Sequence, residues 1–112
     1  MFLFNLILSR LLKDAAAVIA GGTLEAHLRQ LCAKHGIDVE VSTSKGIRPK
    51  RADTMNADLA KESVYSKLDQ KNVTAWLDLR NKAAHGKYTE YAESQVSIFV
   101  TALRDFINRN SA

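Results

Sequence analysis

The sequence predicts an all-α fold, a compact bundle of four to five helices that forms a single domain over residues 1–112. The chain of 112 residues contains one proline and five glycines, so long stretches are free to be helical. Apolar residues recur in several segments at the three-to-four-residue spacing of an amphipathic helix. A chain of this length has room for one modest hydrophobic core.

The first predicted helix runs from residue 2 to about residue 35, and Gly36 is suited to end it. Gly21 and Gly22 interrupt its apolar stripe, and a glycine pair in a helix costs about 2 kcal/mol relative to alanine. We therefore expect a kink, a break after which Thr23 caps a second helix, or a very close approach of another backbone. The stripe consists of Phe4, Ile7, Leu8, Leu11, Ala15, Val18 and Ile19, and it resumes with Leu24, Leu28 and Leu31.

The first two turns of this helix, Phe2 to Leu8, are apolar on nearly all sides. A surface helix of a monomer has only one apolar face, so we expect this segment to pack against a second subunit. An interfacial membrane anchor is the alternative. The apolar run is far shorter than the roughly 20 residues of a membrane span, and it lacks the preceding basic segment of a signal peptide.

Cysteine and histidine usage argues against disulfides and metal sites. Cys32 is the only cysteine, so neither an intrachain disulfide nor a thiolate metal site is expected. The three histidines lack zinc-type spacing. We therefore expect no cofactor and no metal, and a reducing, cytoplasmic compartment.

Residues 37–52 lack helical periodicity. Ile37, Val39 and Val41 alternate with acidic residues, which allows a short extended piece, and residues 42–51 are predicted to form a flexible loop. The net charge of +4 favours anionic partners, nucleic acid first. The loop is either a solvated basic segment or a nucleic-acid contact. Its basic residues are Lys45, Arg48, Lys50 and Arg51.

Three further helices are predicted. Asp53 or Thr54 caps a short helix that ends near residue 61. A longer helix covers Ser66 to His85 and is terminated by Gly86. The last helix covers residues 90 to 109. The apolar positions are Val73, Trp76, Leu77, Ala83 and Ala84 in the longer helix, and Val96, Phe99, Val100, Leu103, Phe106 and Ile107 in the last one.

Arg80 breaks the pattern of the longer helix, since it lies near the centre of the apolar stripe. A guanidinium stays charged, so we expect it to snorkel or to pair with a carboxylate such as Glu25 or Asp78. His85 lies at the helix end, where the helix dipole favours a protonated imidazole. At 100° per residue the two side chains are about 140° apart. To act on one substrate they need a bend at Gly86 or the same pair from a second subunit.

Residues 79–88, Leu-Arg-Asn-Lys-Ala-Ala-His-Gly-Lys-Tyr, resemble the motif of the HEPN superfamily (higher eukaryotes and prokaryotes nucleotide-binding domains). That motif is an arginine, usually followed by a polar residue, with a histidine four to six residues further on. Arg80, Asn81 and His85 match it. The segment Gly-Gly-Thr-Leu-Glu-Ala-His-Leu-Arg-Gln-Leu at 21–31 looks like an early helix of bacterial members. The resemblance covers residues 16–109.

The resemblance implies a helical bundle that dimerises and so brings two arginine–histidine pairs into one cleft. Many HEPN proteins are metal-independent endoribonucleases that use the ribose 2′-hydroxyl as nucleophile. In this chain His85 would act as general acid or base, Arg80 would clamp the phosphate, and Asn81 would orient the cleft. Glu25 is a supporting partner for Arg80, and Tyr88 could stack on a base.

The implied partners are a second copy of the chain, RNA or a nucleotide, and an antitoxin or a nucleotidyltransferase, as in toxin–antitoxin and defence systems. In some toxin members a tyrosine two positions after the histidine is modified by such a partner. Here that position is Lys87, so the modification is not expected. The alternative function is a non-catalytic helical module that binds a nucleotide, RNA or a protein.

Overall fold

The computed structural model describes residues 2–112, apart from the side chains of Phe2, Phe4 and residues 6–8. The predicted apolar packing of the first two turns therefore lies outside the described side chains. Within residues 2–112 the chain forms a mostly helical domain of four α-helices, one 3₁₀ turn and one two-stranded hairpin. These elements are α1 (Phe2–Lys34), β1 (Glu40–Thr43), β2 (Gly46–Pro49), α2 (Ala52–Lys61), α3 (Lys67–Ala84), the 3₁₀ turn (Tyr88–Glu90) and α4 (Glu93–Arg109).

Helix α1 is continuous through the glycine pair. The second helix expected to begin at Thr23 does not exist, because the Thr23 hydroxyl donates to the Ile19 carbonyl 3.0 Å away, inside the same helix. The end predicted at Gly36 is confirmed. Gly36 has a φ of 70°, and the Ile37 amide donates to the Cys32 carbonyl at 2.8 Å, which closes the last turn.

The core lies where α2, α3 and α4 pack against one face of α1. The second part of the predicted stripe, Leu24, Leu28 and Leu31, lies on that face, whereas the described residues of the first part, Leu11, Ala15, Val18 and Ile19, are exposed. Both sides of α1 carry apolar residues, so periodicity alone could not select the side that faces the core. Ala20, Leu24, Leu28 and Leu31 of α1 form the main core with Met55, Leu59, Val73, Trp76, Phe99 and Phe106. Ala17 lies in a second, smaller cluster with Ala83, Tyr91 and Val96.

The flexible loop predicted for residues 42–51 is wrong, because most of it forms an antiparallel hairpin with Glu40 opposite Pro49. Gly46 adopts a φ of 113° at the turn, a conformation that side chains disfavour. Every strand residue is exposed. The short extended piece allowed by the alternation of Ile37, Val39 and Val41 overlaps the start of β1, whereas β2 has no buried face and no such alternation.

The remaining helices differ from their predicted bounds mainly at their first residues. Helix α2 begins at Ala52, so Asp53 and Thr54 lie in its first turn and do not cap it. Helix α3 matches its prediction, with Ser66 as N-cap and His85 as C-cap. Helix α4 begins three residues later than predicted, because residues 88–90 form the 3₁₀ turn.

Asp69 on α3 binds the end of α4, with its oxygens 3.0 and 3.2 Å from the Arg109 guanidinium. This hydrogen bonding holds the pKa of the Asp69 carboxyl below its usual value. We expect Asp69→Asn to lower the free energy of unfolding at pH 7 by about 1–2 kcal/mol, since Asp69 is nearly buried and Arg109 half-exposed. Urea denaturation measures this difference.

The pH dependence has a definite sign, because the pKa of Asp69 is lower in the folded than in the unfolded chain. The difference in free energy of unfolding between the wild type and Asp69→Asn is therefore largest above about pH 4. It shrinks as the pH falls through the pKa of Asp69 in the folded chain. Asp105→Asn is the matched control, since this exposed carboxylate binds the same arginine. An equal loss in both variants would contradict the role given to Asp69.

Candidate functional site

Arg80 lies across Gly21, on the side where α3 packs against α1. A Cβ atom on Gly21 would overlap the Arg80 Cγ and lie 2.9 Å from the Arg80 Cβ. The close approach expected at the glycine pair is therefore real, but the approaching group is a side-chain stem rather than a backbone. Gly22 has no atom within 4 Å of an added Cβ, so only Gly21 is required by this contact.

The Arg80 guanidinium pairs with Glu25, one helical turn after Gly21. Its Nη1 donates to the Glu25 Oε2 at 2.6 Å, and the two side chains are 25% and 34% exposed. Glu25 was one of the two carboxylates expected for this role. Asp78, the other, instead pairs with Lys82 at 3.0 Å. Gly21 and Glu25 together fix Arg80, because Gly21 leaves room for its aliphatic stem and Glu25 binds its guanidinium.

Glu25 also connects Arg80 to the hairpin through Arg29. The Glu25 Oε1 accepts from the Arg29 Nη2 at 3.3 Å, and the same guanidinium donates to the carbonyls of Val39 and Lys50 at 3.3 and 2.9 Å. These carbonyls flank the base of the hairpin. The orientation of the hairpin is thus coupled to Arg80 by one carboxylate. Sequence reasoning missed Arg29, although its position four residues after Glu25 is a recognisable ion-pair spacing.

A cavity of about 180 Å³ opens beside the Arg80–Glu25 pair. The Arg80 Nε is buried and has no hydrogen-bond partner among the described residues. Two arginines and one amide at the cavity could bind a phosphate, although such an anion would compete with two carboxylates for the arginines. The cavity is lined by Glu25, Arg51, Ala52, Asp53, Leu77, Arg80 and Asn81.

His85 is not among the residues that line this cavity. It caps the C-terminus of α3, its side chain is exposed, and Gly86 with a φ of 72° turns the chain away from the helix. The amide of His85 donates to the Asn81 carbonyl at 3.0 Å. One copy of the chain therefore brings Arg80 and Asn81 together at the cavity and leaves His85 outside it.

The segment after His85 is attached to α1. Lys13 donates to the Tyr88 carbonyl at 2.6 Å and lies 4.4 Å from the centre of the Tyr91 ring. Tyr91 is buried, and its hydroxyl donates to Asp14 at 2.7 Å. Tyr88 is 44% exposed and so is available for stacking, whereas Tyr91 packs against α1.

The four basic residues of the predicted loop have different surroundings. Lys45 and Arg48 are exposed on the hairpin, and Arg51 follows it at the cavity, 3.4 Å from Asp53. Lys50 is nearly buried and pairs with Asp58 at 2.7 Å, so its expected role as a nucleic-acid contact is not supported. The placement of Arg51 beside Arg80 was not predicted, because it depends on the hairpin.

The described residues show neither a metal-binding cluster nor a membrane-spanning helix. Among residues 2–112 as described, no group of three or more histidine, cysteine or carboxylate side chains could hold a metal ion. The helices in this part of the chain include none that is long and apolar enough to cross a membrane. No family model, curated protein or solved structure matches the chain.

Proposed function

We propose that this chain is an endoribonuclease of the HEPN type, which cleaves RNA without a metal ion and acts as a homodimer. The observation that carries the proposal is the fixed Arg80, which Gly21 and Glu25 hold five residues before an exposed histidine at the end of the same helix. The glycine that admits the arginine stem costs about 1 kcal/mol of helix stability relative to alanine, and a charged residue that breaks an apolar stripe in this way is a candidate for a functional site.

The reaction needs only side-chain chemistry and the substrate itself. His85 removes the proton of a ribose 2′-hydroxyl, whose oxygen attacks the adjacent phosphorus while the bond from phosphorus to the 5′-oxygen breaks. The leaving 5′-oxygen takes a proton from the protonated histidine of the second centre or from water. Arg80 stabilises the charge that develops on the phosphate oxygens, and Asn81 orients the phosphate. The products are a 2′,3′-cyclic phosphate and a 5′-hydroxyl.

A dimer is part of this proposal because Arg80 and His85 of one chain do not meet at one cavity. A second copy can supply the missing group, so that each centre combines residues from two subunits. The exposed Lys45 and Arg48 and the cavity-lining Arg51 would bind the RNA backbone on either side of the scissile phosphate.

The test is to incubate the purified protein with a mixture of RNAs in excess EDTA. We expect cleavage fragments with 2′,3′-cyclic phosphate and 5′-hydroxyl ends, and no cleavage of the same sequences with 2′-O-methyl riboses, which lack the nucleophile. The double variant Arg80→Ala/His85→Ala controls for a contaminating nuclease. Equal cleavage by this variant, or fragments with 5′-phosphate ends, would contradict the proposal.

The second candidate is a module that binds RNA or a nucleotide without cleaving it, and the Glu25–Arg80 pair favours it. At 2.6 Å this carboxylate occupies the arginine that the reaction needs. The two candidates differ in the EDTA assay, because a binding module retards RNA in a gel and leaves it intact. A protein partner such as an antitoxin or a nucleotidyltransferase fits either candidate.

A further inference from the structure

One face of α1 is apolar and is not covered by any described part of the chain. Leu11, Ala15, Val18 and Gly22 follow each other at spacings of four, three and four residues and are all exposed. This spacing is the seam pattern by which one helix packs along another. Leu12 and Ile19 flank the seam and are 61% and 68% exposed.

Gly22 lies in this seam, and no contact within the described chain requires a glycine there. An interior helical glycine costs about 1 kcal/mol relative to alanine. Gly21 is required by the Arg80 stem, but a Cβ on Gly22 would enter open space. The missing side chain of Gly22 therefore leaves a gap in the seam that no described part of the chain fills.

We propose that a second copy of this chain covers the seam, with the two α1 helices antiparallel. A twofold axis between residues 16 and 17 sets Leu11 of each copy opposite Gly22 of the other and Ala15 opposite Val18. Each large side chain then meets a small one, which gives close packing without voids. A parallel pair would set leucine against leucine and glycine against glycine.

The charges of α1 fit this arrangement. No residue between Asp14 and Glu25 carries a charge, so closing the seam buries none. On the flank nearest α3, the Arg80 side chain, whose stem lies over Gly21 and whose guanidinium binds Glu25, comes close to the level of Asp14 of the second copy, so that opposite charges approach. On the other flank, an apolar groove of about 460 Å³ beside Ile19, between α1 and α4, receives the Leu12 of the second copy.

The antiparallel seam also completes the proposed catalytic centre, and this part of the inference rests on the proposed function. Arg80 contacts Gly21 and Ala83 packs with Ala17, so α3 runs antiparallel to α1 and its His85 end lies towards Asp14. A twofold axis perpendicular to the plane of the two α1 helices leaves both α3 helices on one side. It also places Arg80 of each subunit opposite the His85 end of the other.

The first experiment measures the mass of the protein by light scattering at micromolar concentration. We expect the wild type to have twice the mass of the 12.4 kDa chain. Val18→Glu, which buries two carboxylates close to the axis, should weaken the dimer by at least about 100-fold. Ile98→Glu is the matched control, since Ile98 is likewise an exposed aliphatic residue, on α4, at 67% against 50% for Val18. A monomeric wild type, or equal loss in both folded variants, would overturn the inference.

The second experiment tests the orientation by oxidative cross-linking. The double variant Leu11→Cys/Gly22→Cys should form a covalent dimer, whereas Leu11→Cys alone should not. In the antiparallel pair the two Leu11 positions are about 16 Å apart along the axis, beyond the reach of a disulfide of about 7 Å. The native Cys32 is fully buried and does not take part. Cross-linking by Leu11→Cys alone would contradict the antiparallel register.

These measurements do not depend on catalysis. A dimer that cross-links as expected but leaves RNA intact would overturn the proposed function and retain the seam. A monomer that cleaves RNA in EDTA would overturn the seam and the centre shared between subunits, and would retain only the metal-independent cleavage.

Discussion

Replacing either Arg80 or His85 by alanine is expected to lower the rate of RNA cleavage by about 10²–10⁴-fold. Loss of a group that stabilises transition-state charge costs about 10²–10³-fold, and loss of a general acid or base about 10²–10⁴-fold. RNA binding should weaken more for Arg80→Ala, because this variant loses a cation, than for His85→Ala. The rate is measured under single-turnover conditions with a fluorescent RNA, and affinity separately by gel retardation.

A mixture of the two inactive variants distinguishes a shared centre from a centre within one chain. If each centre takes Arg80 from one subunit and His85 from the other, a heterodimer of Arg80→Ala with His85→Ala keeps one intact centre. Random assembly makes half of the dimers mixed, so co-refolding should restore about a quarter of the wild-type activity. If both residues act from the same chain, every centre stays defective and the mixture remains inactive.

Under the proposed function, Glu25 would compete with the substrate phosphate for Arg80. The carboxylate accepts from both Arg80 and Arg29, so an incoming phosphate must displace one charged partner to reach the Arg80 guanidinium fully. The same carboxylate prevents an uncompensated charge when RNA is absent. Under the proposed function, Glu25 would hold the Arg80 guanidinium in place when no RNA is bound and would weaken its binding to a phosphate.

The sequence predicted the helices well where one face alone is apolar. Helices α3 and α4 were located to within a few residues, and the conflict at Arg80 correctly indicated a carboxylate partner. The orientation of α1 could not be predicted in the same way. Its residues Ala17, Ala20 and Leu24 face the core while Val18 and Ile19 face outwards, and both sets follow helical spacing.

The cavity beside Arg80 could be predicted only in part. Asn81 follows from its place next to the arginine, but Arg51 is distant in sequence and reaches the cavity because the hairpin returns the chain to α1. The exposed strand β2 buries no residue and leaves no periodic signal. The separation of about 140° between Arg80 and His85 on the helix predicts that His85 does not line the cavity next to Arg80.

Adjacent glycines 21 and 22 should respond to alanine in opposite ways. Gly22→Ala should raise the free energy of unfolding by about 0.5–1 kcal/mol, because it removes the conformational cost of a helical glycine and meets nothing. Gly21→Ala gains the same helix propensity but drives a methyl group into the Arg80 stem. Overpacking of this kind costs about 1–3 kcal/mol, so we expect a net loss of roughly 1–2 kcal/mol and reduced RNA cleavage.

Urea denaturation should be carried out in the Val18→Glu background, so that association of subunits does not contribute to the measured stability. A double-mutant cycle then tests the physical cause. Arg80→Ala removes the overlapping Cγ, so Gly21→Ala should cost at least about 1 kcal/mol less in that background, while the gain from Gly22→Ala should be unchanged. If Gly21→Ala stabilised the protein as much as Gly22→Ala does, Gly21 would not be what admits the Arg80 stem, and the position of Arg80 would no longer support the proposed function.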